Sequence, residues 1–279
     1  MYGAIIGDLA GSIYEYSEFK ESLKKKVDLK RRLEILYKKE LISDEAFYSD
    51  DTILTIAILE SILEGISYSE NLKKYGLLYK EQVPNGDYFK YMFSEGFIKW
   101  CKSDEIGCSK GNGAMMRISP VGYLFNNEEQ VIEESEKATT PSHNDGLSIM
   151  GAMIVSLMIY YARSGLNKKE IENKIKIWCN IDYNYDIDEL RKSNTFKYTS
   201  EETLPLVLYT IFNTSSFEEA IRVSISLGGD TDTVACIVGS IAEALYGVPE
   251  YLKERADEFL PEEFKKILIK GYNSIRKLK

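Results

Sequence analysis

Apolar positions in this chain recur at helical spacing over most of its length. Ile53, Ile56, Ala57, Leu59, Ile62 and Leu63 trace one stripe, and Leu204, Val207, Leu208, Ile211 and Phe212 trace another. The stretch from about Leu147 to Ala162 is apolar on all sides, which predicts a buried core helix. It is shorter than the roughly 20 residues that span a bilayer. Helix starts are marked too. Ser216-x-x-Glu219 fits a capping box, and Asn167-x-x-Glu170 is the same device with Asn as the cap. Pro261-Glu262-Glu263 suits the first turn of a last helix. Gly165 and Gly247 follow apolar helical runs, where a C-terminal cap belongs. The charged segment from Lys24 to Glu40 predicts a solvated helix, and the polar, aromatic stretch from Asp182 to Thr199 a long loop. No run alternates as strands do, no segment repeats, and no Pro/Gly/Ser linker divides the chain. The expectation is an all-α fold with one domain over residues 1–279.

Composition narrows the function classes. The 279 residues are 44% hydrophobic, enough for a substantial core, and carry a net charge of −9. That charge argues against a sequence-independent grip on nucleic acid, which needs a basic footprint. Four cysteines without a Cys-x-x-Cys pair, and a single histidine, leave almost no ligands for zinc or an iron–sulfur cluster. Scattered cysteines of this kind predict reduced, buried thiols and a cytoplasmic protein. Met1 to Asp8 has no basic leader, and Asp8 interrupts its apolar run, so no signal peptide is expected.

Two acidic clusters share a local design. Ser49-Asp50-Asp51-Thr52 precedes an apolar helix, and Gly228-Gly229-Asp230-Thr231-Asp232-Thr233 precedes a helix expected near Val234. Plain N-capping accounts for either cluster alone. A cap needs one side chain, however, and each cluster offers several oxygen donors. Crowded carboxylates are unfavourable unless a cation neutralises them. An all-oxygen donor set points to Mg²⁺ or Mn²⁺, and converging clusters would bridge two ions. The paired glycines let the backbone turn sharply beside a ligand.

Three further elements are candidates. Gly7-Asp8-x-x-Gly11-Ser12-x-Tyr14-Glu15 would put Asp8 and Glu15 on one helix face, although taken alone it is better explained as a glycine-tolerant core helix with a polar end. Ser109-Lys110-Gly111-Asn112-Gly113-Ala114-Met115-Met116-Arg117 offers small residues whose N–H groups suit a phosphate. Arg117 would hold a phosphate or buttress a buried carboxylate. His143, in Pro141-Ser142-His143-Asn144-Asp145-Gly146, is read locally as a structural hydrogen-bonder.

These five pieces, in this order from Gly3 to about Gly247, resemble the ADP-ribosylglycohydrolase family. That family has a Gly-Asp-x-x-Gly…Glu opening, a Thr-Asp-Asp-Thr cluster, a Gly-Asn-Gly-x-x-Met-Arg loop, a Thr-His element and a Gly-Gly-Asp-[Thr/Ser]-Asp-Thr ending. The resemblance implies an orthogonal bundle of about a dozen helices around a cleft with two Mg²⁺ or Mn²⁺ ions. It implies metal ligands at Ser49, Asp50, Asp51, Asp230, Asp232 and Thr233, and an acidic residue, Glu15, near the scissile bond. Ser109, Gly111, Asn112, Gly113 and Gly229 would wrap the ADP-ribose, and His143 would meet its distal ribose. Ser49 and Ser142 stand where the family usually has Thr, and both keep the hydroxyl.

The implied reaction is hydrolysis of the bond between ADP-ribose and an acceptor, through an oxocarbenium-like transition state. Glu15, Asp51 or Asp232 would serve as general acid or base, and the residues alone do not rank them. The expected substrate is an ADP-ribosylated protein, foremost at arginine, acted on by a monomer away from membranes. Serine, nucleobase or O-acetyl conjugates, or a non-catalytic ADP-ribose binder, are the alternatives.

Overall fold

The computed structural model describes residues 1–16, 29–82, 92–179, 181–193 and 197–277. The chain enters through α1 (Tyr2–Tyr16), α2 (Leu29–Lys38), α3 (Asp50–Glu64), α4 (Tyr68–Tyr79) and α5 (Glu95–Cys101). The short α6 (Gly113–Arg117) and α7 (Ser119–Leu124) lead to α8 (Glu128–Thr139) and α9 (Gly146–Arg163). Then come α10 (Lys168–Ile175), α11 (Ile187–Ser193), α12 (Ser200–Asn213) and α13 (Phe217–Ser226). The last are α14 (Thr231–Tyr246), α15 (Glu250–Asp257) and α16 (Glu262–Lys277). The fold is all-α, and among the described residues the only β pairings are two isolated bridges, Cys108 with His143 and Gly111 with Thr199. There are more helices than the expected dozen, because several last only one or two turns.

The centre of the structure is α14, which packs against α1, α13, α9 and α12. Its partner face on α1 carries Gly3, Gly7 and Gly11, one per helical turn. A Cβ at Gly7 would lie 2.0 Å from the Ala235 carbonyl oxygen, and one at Gly3 would lie 2.1 Å from that of Gly239. At Gly11 it would lie 2.4 Å from the Asp232 Cα. The two backbones therefore meet without intervening side chains. Ile5, Ile6 and Leu9 fill the space around the seam, and one continuous apolar core runs from Met1 to Leu268.

Local signals place the helices around this pair. Asn167 and Glu170 form both bonds of a capping box, and Ser216 caps α13 by accepting from Glu219 N–H. Gly165 and Gly247 both have left-handed φ just past helix ends. The apolar run predicted as a core helix is α9, long and apolar enough by composition to cross a membrane. It is mostly buried, packed on α8, α7 and α14. In α2, the described part of the charged segment, Leu36 is buried, and the Arg222 guanidinium donates to the Leu36 and Lys39 carbonyls at 2.6 and 3.1 Å.

The segment read as a loop contains α11. Asp186 Oδ1 accepts from the N–H groups of Asp188 and Glu189 at 2.9 and 3.0 Å, which caps the turn. Arg191 then anchors it by donating Nε–H to Ser226 Oγ at 3.0 Å.

The seam yields a stability prediction. Gly7→Ala should cost about 3 kcal/mol or more in urea unfolding, at the upper end of what overpacking costs. Gly146→Ala, where a Cβ would meet nothing within 4 Å, should be neutral or slightly stabilising. Equal midpoints for the two variants would contradict the backbone contact.

Candidate functional site

Asp8 lies on α1 among Ile5, Ile6 and Leu9 and is fully buried. Its Oδ2 accepts from Ser49 N–H at 2.9 Å, Thr52 N–H at 3.1 Å and the Thr52 hydroxyl at 2.5 Å. These bonds dock the first turn of α3 onto α1. Ser49 caps α3: its Oγ accepts from Asp51 N–H at 3.2 Å and donates to Asp51 Oδ2 at 2.9 Å. The Thr233 hydroxyl reaches the same Asp51 Oδ2 at 3.2 Å, which ties in the first turn of α14. The Thr231 hydroxyl bonds the Gly11 carbonyl at 3.0 Å beside it.

Three helix segments thus bring Asp8, Asp51 and Asp232 together, with one oxygen from each lying within 4.8 Å of the others. All three residues are buried. Asp8 Oδ1 and Asp51 Oδ1 are buried without a hydrogen-bond partner among the described residues. Desolvation raises the pKa of Asp8 and raises that of Asp51 well above the carboxylate range. The charges of Asp8, Asp50 and Asp230 push Asp51 in the same direction. A divalent cation would remove both penalties. Hard, all-oxygen donors with unpartnered lone pairs are the donor set that Mg²⁺ or Mn²⁺ takes, so the residues present fit such an ion.

The opposite wall comes from the Ser109–Gly113 loop. The Asn112 amide donates to Asp230 Oδ2 at 2.7 Å and to Thr203 Oγ1 at 3.2 Å. Burial raises the Asp230 pKa, and this amide opposes the rise. Gly228 and Gly229, at φ 74° and 80°, make the left-handed turn that delivers Asp230 to the start of α14. Gly111 N–H donates to Ser109 Oγ at 3.2 Å and Asn112 N–H to the Tyr198 carbonyl at 2.8 Å, so those two donors serve the loop itself.

Behind the loop, Arg117 is 1% exposed. Its Nη2 donates to Ser142 Oγ at 2.7 Å, and Ser142 Oγ lies 2.7 Å from His143 Nδ1. Arg117 Nε and Nη1 have no partner. Burial lowers the Arg117 pKa to about 10.

Between the walls lies a cleft of about 800 Å³. Asp50, Asp51, Asp230, Asp232 and Thr233 line one side, and Ser109, Gly111, Asn112, Gly113 and His143 the other. Ser49 and Gly229 stand behind the acidic side, as cap and turn. Glu15 lies in the last turn of α1, and its side chain is outside the described residues. The expected ligand set did not include Asp8, whose signal is a lone carboxylate inside an otherwise apolar helix. Phe97 and Trp100, also in the lining, carried no sequence signal, and Tyr198 belongs to the segment read as a loop. Arg117 bonds Ser142 rather than a carboxylate. The helix expected near Val234 starts at Thr231, so Asp232 and Thr233 lie in its first turn.

Comparison with known proteins identifies a family. A family model described as ADP-ribosylglycohydrolase matches residues 1–273. ADP-ribosylhydrolase ARH3 of Xenopus tropicalis is 24% identical, with 88% of this chain and 86% of that protein covered. ADP-ribosylarginine hydrolase Tri1 of Pseudomonas putida is 25% identical over 52% of this chain and 42% of its own length. A solved structure titled ADP-ribosylglycohydrolase-related protein complex superposes with a TM-score of 0.62 at 18% identity. That alignment covers 82% of each chain, and it shows a shared fold.

The carboxylate cluster yields a binding prediction. Mg²⁺ or Mn²⁺ at a hundred times its dissociation constant should stabilise the protein by about 2.7 kcal/mol, a thermal shift of several degrees. Asp51→Asn should abolish that shift. It should also raise the melting temperature of the cation-free protein, because a buried carboxylate that resists ionisation is replaced by a neutral amide. An unchanged cation response in Asp51→Asn would rule out the cluster as the binding site.

Proposed function

Since the chain belongs to the ADP-ribosylglycohydrolase family, we propose that it is a Mg²⁺- or Mn²⁺-dependent hydrolase that releases ADP-ribose from protein side chains, foremost arginine. One observation carries this reading: a single cleft joins the buried carboxylate cluster to the glycine-rich loop and the histidine. A nucleotide sugar needs both features, one for the reacting ribose and one for the remainder of the ligand. An arginine acceptor suits a cleft whose wall is rich in carboxylates and whose Asp50 is only half-buried. The hydrolase of ADP-ribosylarginine among its relatives supports the same acceptor.

In this reading Asp50, Asp51, Asp230, Asp232, Ser49 and Thr233 would hold two ions, with the unpartnered oxygen of Asp8 beside Asp51 as a further donor. When bound, the ions supply Lewis acidity at the ribose hydroxyls and lower the pKa of water. The chain's own residues do the rest. Asn112 fixes Asp230 by its 2.7 Å bond, and the Ser49 and Thr233 hydroxyls fix Asp51. Ser109, Gly111 and Gly113 leave room for the ligand to lie against the loop, with His143 at its edge. Proton transfer to the leaving group, or from water, falls to Asp51, Asp232 or Glu15.

The direct test is release of ADP-ribose from ADP-ribosyl-arginine protein, ADP-ribosyl-serine peptide, ADP-ribosylated nucleic acid and O-acetyl-ADP-ribose, each with Mg²⁺, Mn²⁺ or EDTA. Release from the arginine substrate, abolished by EDTA, is expected. AMP as the product would indicate a phosphohydrolase, and tight ADP-ribose binding without turnover a binding protein. Asp232→Asn should lower kcat by about 10² to 10⁴ while leaving the fold intact by circular dichroism. Full activity in that variant would remove Asp232 from the reaction.

A further inference from the structure

The mechanism above leaves Arg117, Ser142 and the single histidine without a chemical role. From their contacts we infer that Arg117, acting through the Ser142 hydroxyl, is a positioning residue that holds His143 as the neutral Nε2–H tautomer, a fixed hydrogen-bond donor aimed into the cleft.

The argument is one of donors and acceptors. A guanidinium only donates, so Ser142 Oγ accepts from Arg117 Nη2 at 2.7 Å. Ser142 and His143 are both buried, and among the described residues His143 Nδ1, at 2.7 Å, is the acceptor recorded against the Ser142 hydroxyl. Were Nδ1 the protonated nitrogen, the Ser142 O–H would be buried without an acceptor, which costs about 1–3 kcal/mol. Donation from Ser142 to Nδ1 satisfies both the hydroxyl and the ring nitrogen. It also points the negative end of the imidazole dipole toward the Arg117 charge.

The proton then resides on Nε2. This atom lies at the loop: a Cβ on Gly113 would be 3.3 Å from it, and one on Gly111 3.9 Å. The residue lines the cleft, so Nε2–H is available to an acceptor oxygen of a ligand. Burial and the Arg117 charge keep the His143 pKa well below the usual imidazole range, so the ring remains a donor and does not shuttle protons. Asp145, the carboxylate nearest in sequence, is turned away to cap α9 through Leu147 and Ser148 N–H. No His–Asp pair competes with the Arg117 relay.

The tautomer stands on geometry alone, and only its use toward ADP-ribose rests on the proposed function. Having one histidine makes it directly measurable in ¹⁵N-labelled, tag-free protein by long-range ¹H–¹⁵N correlation of the ring. A neutral Nε2–H ring that stays neutral as the pH falls through about 6.5 is expected. An Nδ1–H ring, or an imidazolium at neutral pH, would overturn the inference.

Ser142→Ala should shift both ring nitrogens toward a tautomer mixture and weaken ADP-ribose binding about tenfold. Ser142→Thr, which keeps the hydroxyl, should preserve both. Unchanged nitrogen shifts in Ser142→Ala would equally overturn the inference. Arg117→Met should raise the pH at which the ring protonates. Should that variant not fold, the native ring and the Ser142 pair still decide the question. Because the ring signal needs no substrate, it separates failure of this relay from failure of the proposed reaction.

Discussion

Where α1 runs along α14, main-chain atoms touch main-chain atoms, because Gly3, Gly7 and Gly11 put no side chain between them. Helices separated by ordinary side chains lie about 8–10 Å apart. A seam of that width would move Asp8 on α1 away from Asp232 and Thr233 on α14 and open the carboxylate cluster. The glycines are costly inside a helix, at about 1 kcal/mol each relative to alanine. Their value is that they let two chain segments more than two hundred residues apart supply one site, as the bond from Thr231 to the Gly11 carbonyl illustrates.

Bringing acidic helix starts together in a buried place works against folding, and the surrounding hydroxyls reduce that cost without removing it. Thr52 and two backbone N–H groups satisfy one oxygen of Asp8, and Ser49 and Thr233 satisfy one oxygen of Asp51. In each carboxylate the second oxygen is left with no protein partner. This half-satisfied state is a poor design for a purely structural network. It is a sound one for a site that binds a cation, because the scaffold orients each carboxylate through one oxygen and leaves the other to ligate. Plain N-capping, which explains either cluster in isolation, does not explain the orphaned oxygens.

The parts of this structure that were legible in the sequence are those whose physics is local. The capping box of Asn167 and Glu170 forms within four residues, and both bonds are present. Acidic pairs at helix starts, the apolar α9 and the left-handed turn at Gly228 and Gly229 are of the same kind. What the residues did not disclose depends on partners distant in sequence. Asp8 bonds Thr52 across 44 residues, and Asn112 bonds Asp230 across 118. No spacing rule foretells that the Asn112 amide serves a carboxylate, or that Gly111 and Asn112 N–H groups are committed within the loop region. The helix α11 was a missed local signal, since Asp186 caps it in the ordinary way. Its setting among aromatic and polar residues masked a helix of two turns.

The cleft divides its proton chemistry between the two walls. On one wall, burial raises the Asp8, Asp51 and Asp230 carboxylates, neighbouring charges add to the rise at Asp51, and a bound cation would reverse it. On the other wall, burial and a guanidinium push the imidazole the opposite way, out of that range. The residue type that most often titrates near neutral pH is therefore the one held fixed. Had His143 faced the acidic wall, those carboxylates would have drawn a proton onto the ring and removed its neutral tautomer. Placing it beside the loop, against Arg117, leaves a donor of constant charge facing the cleft.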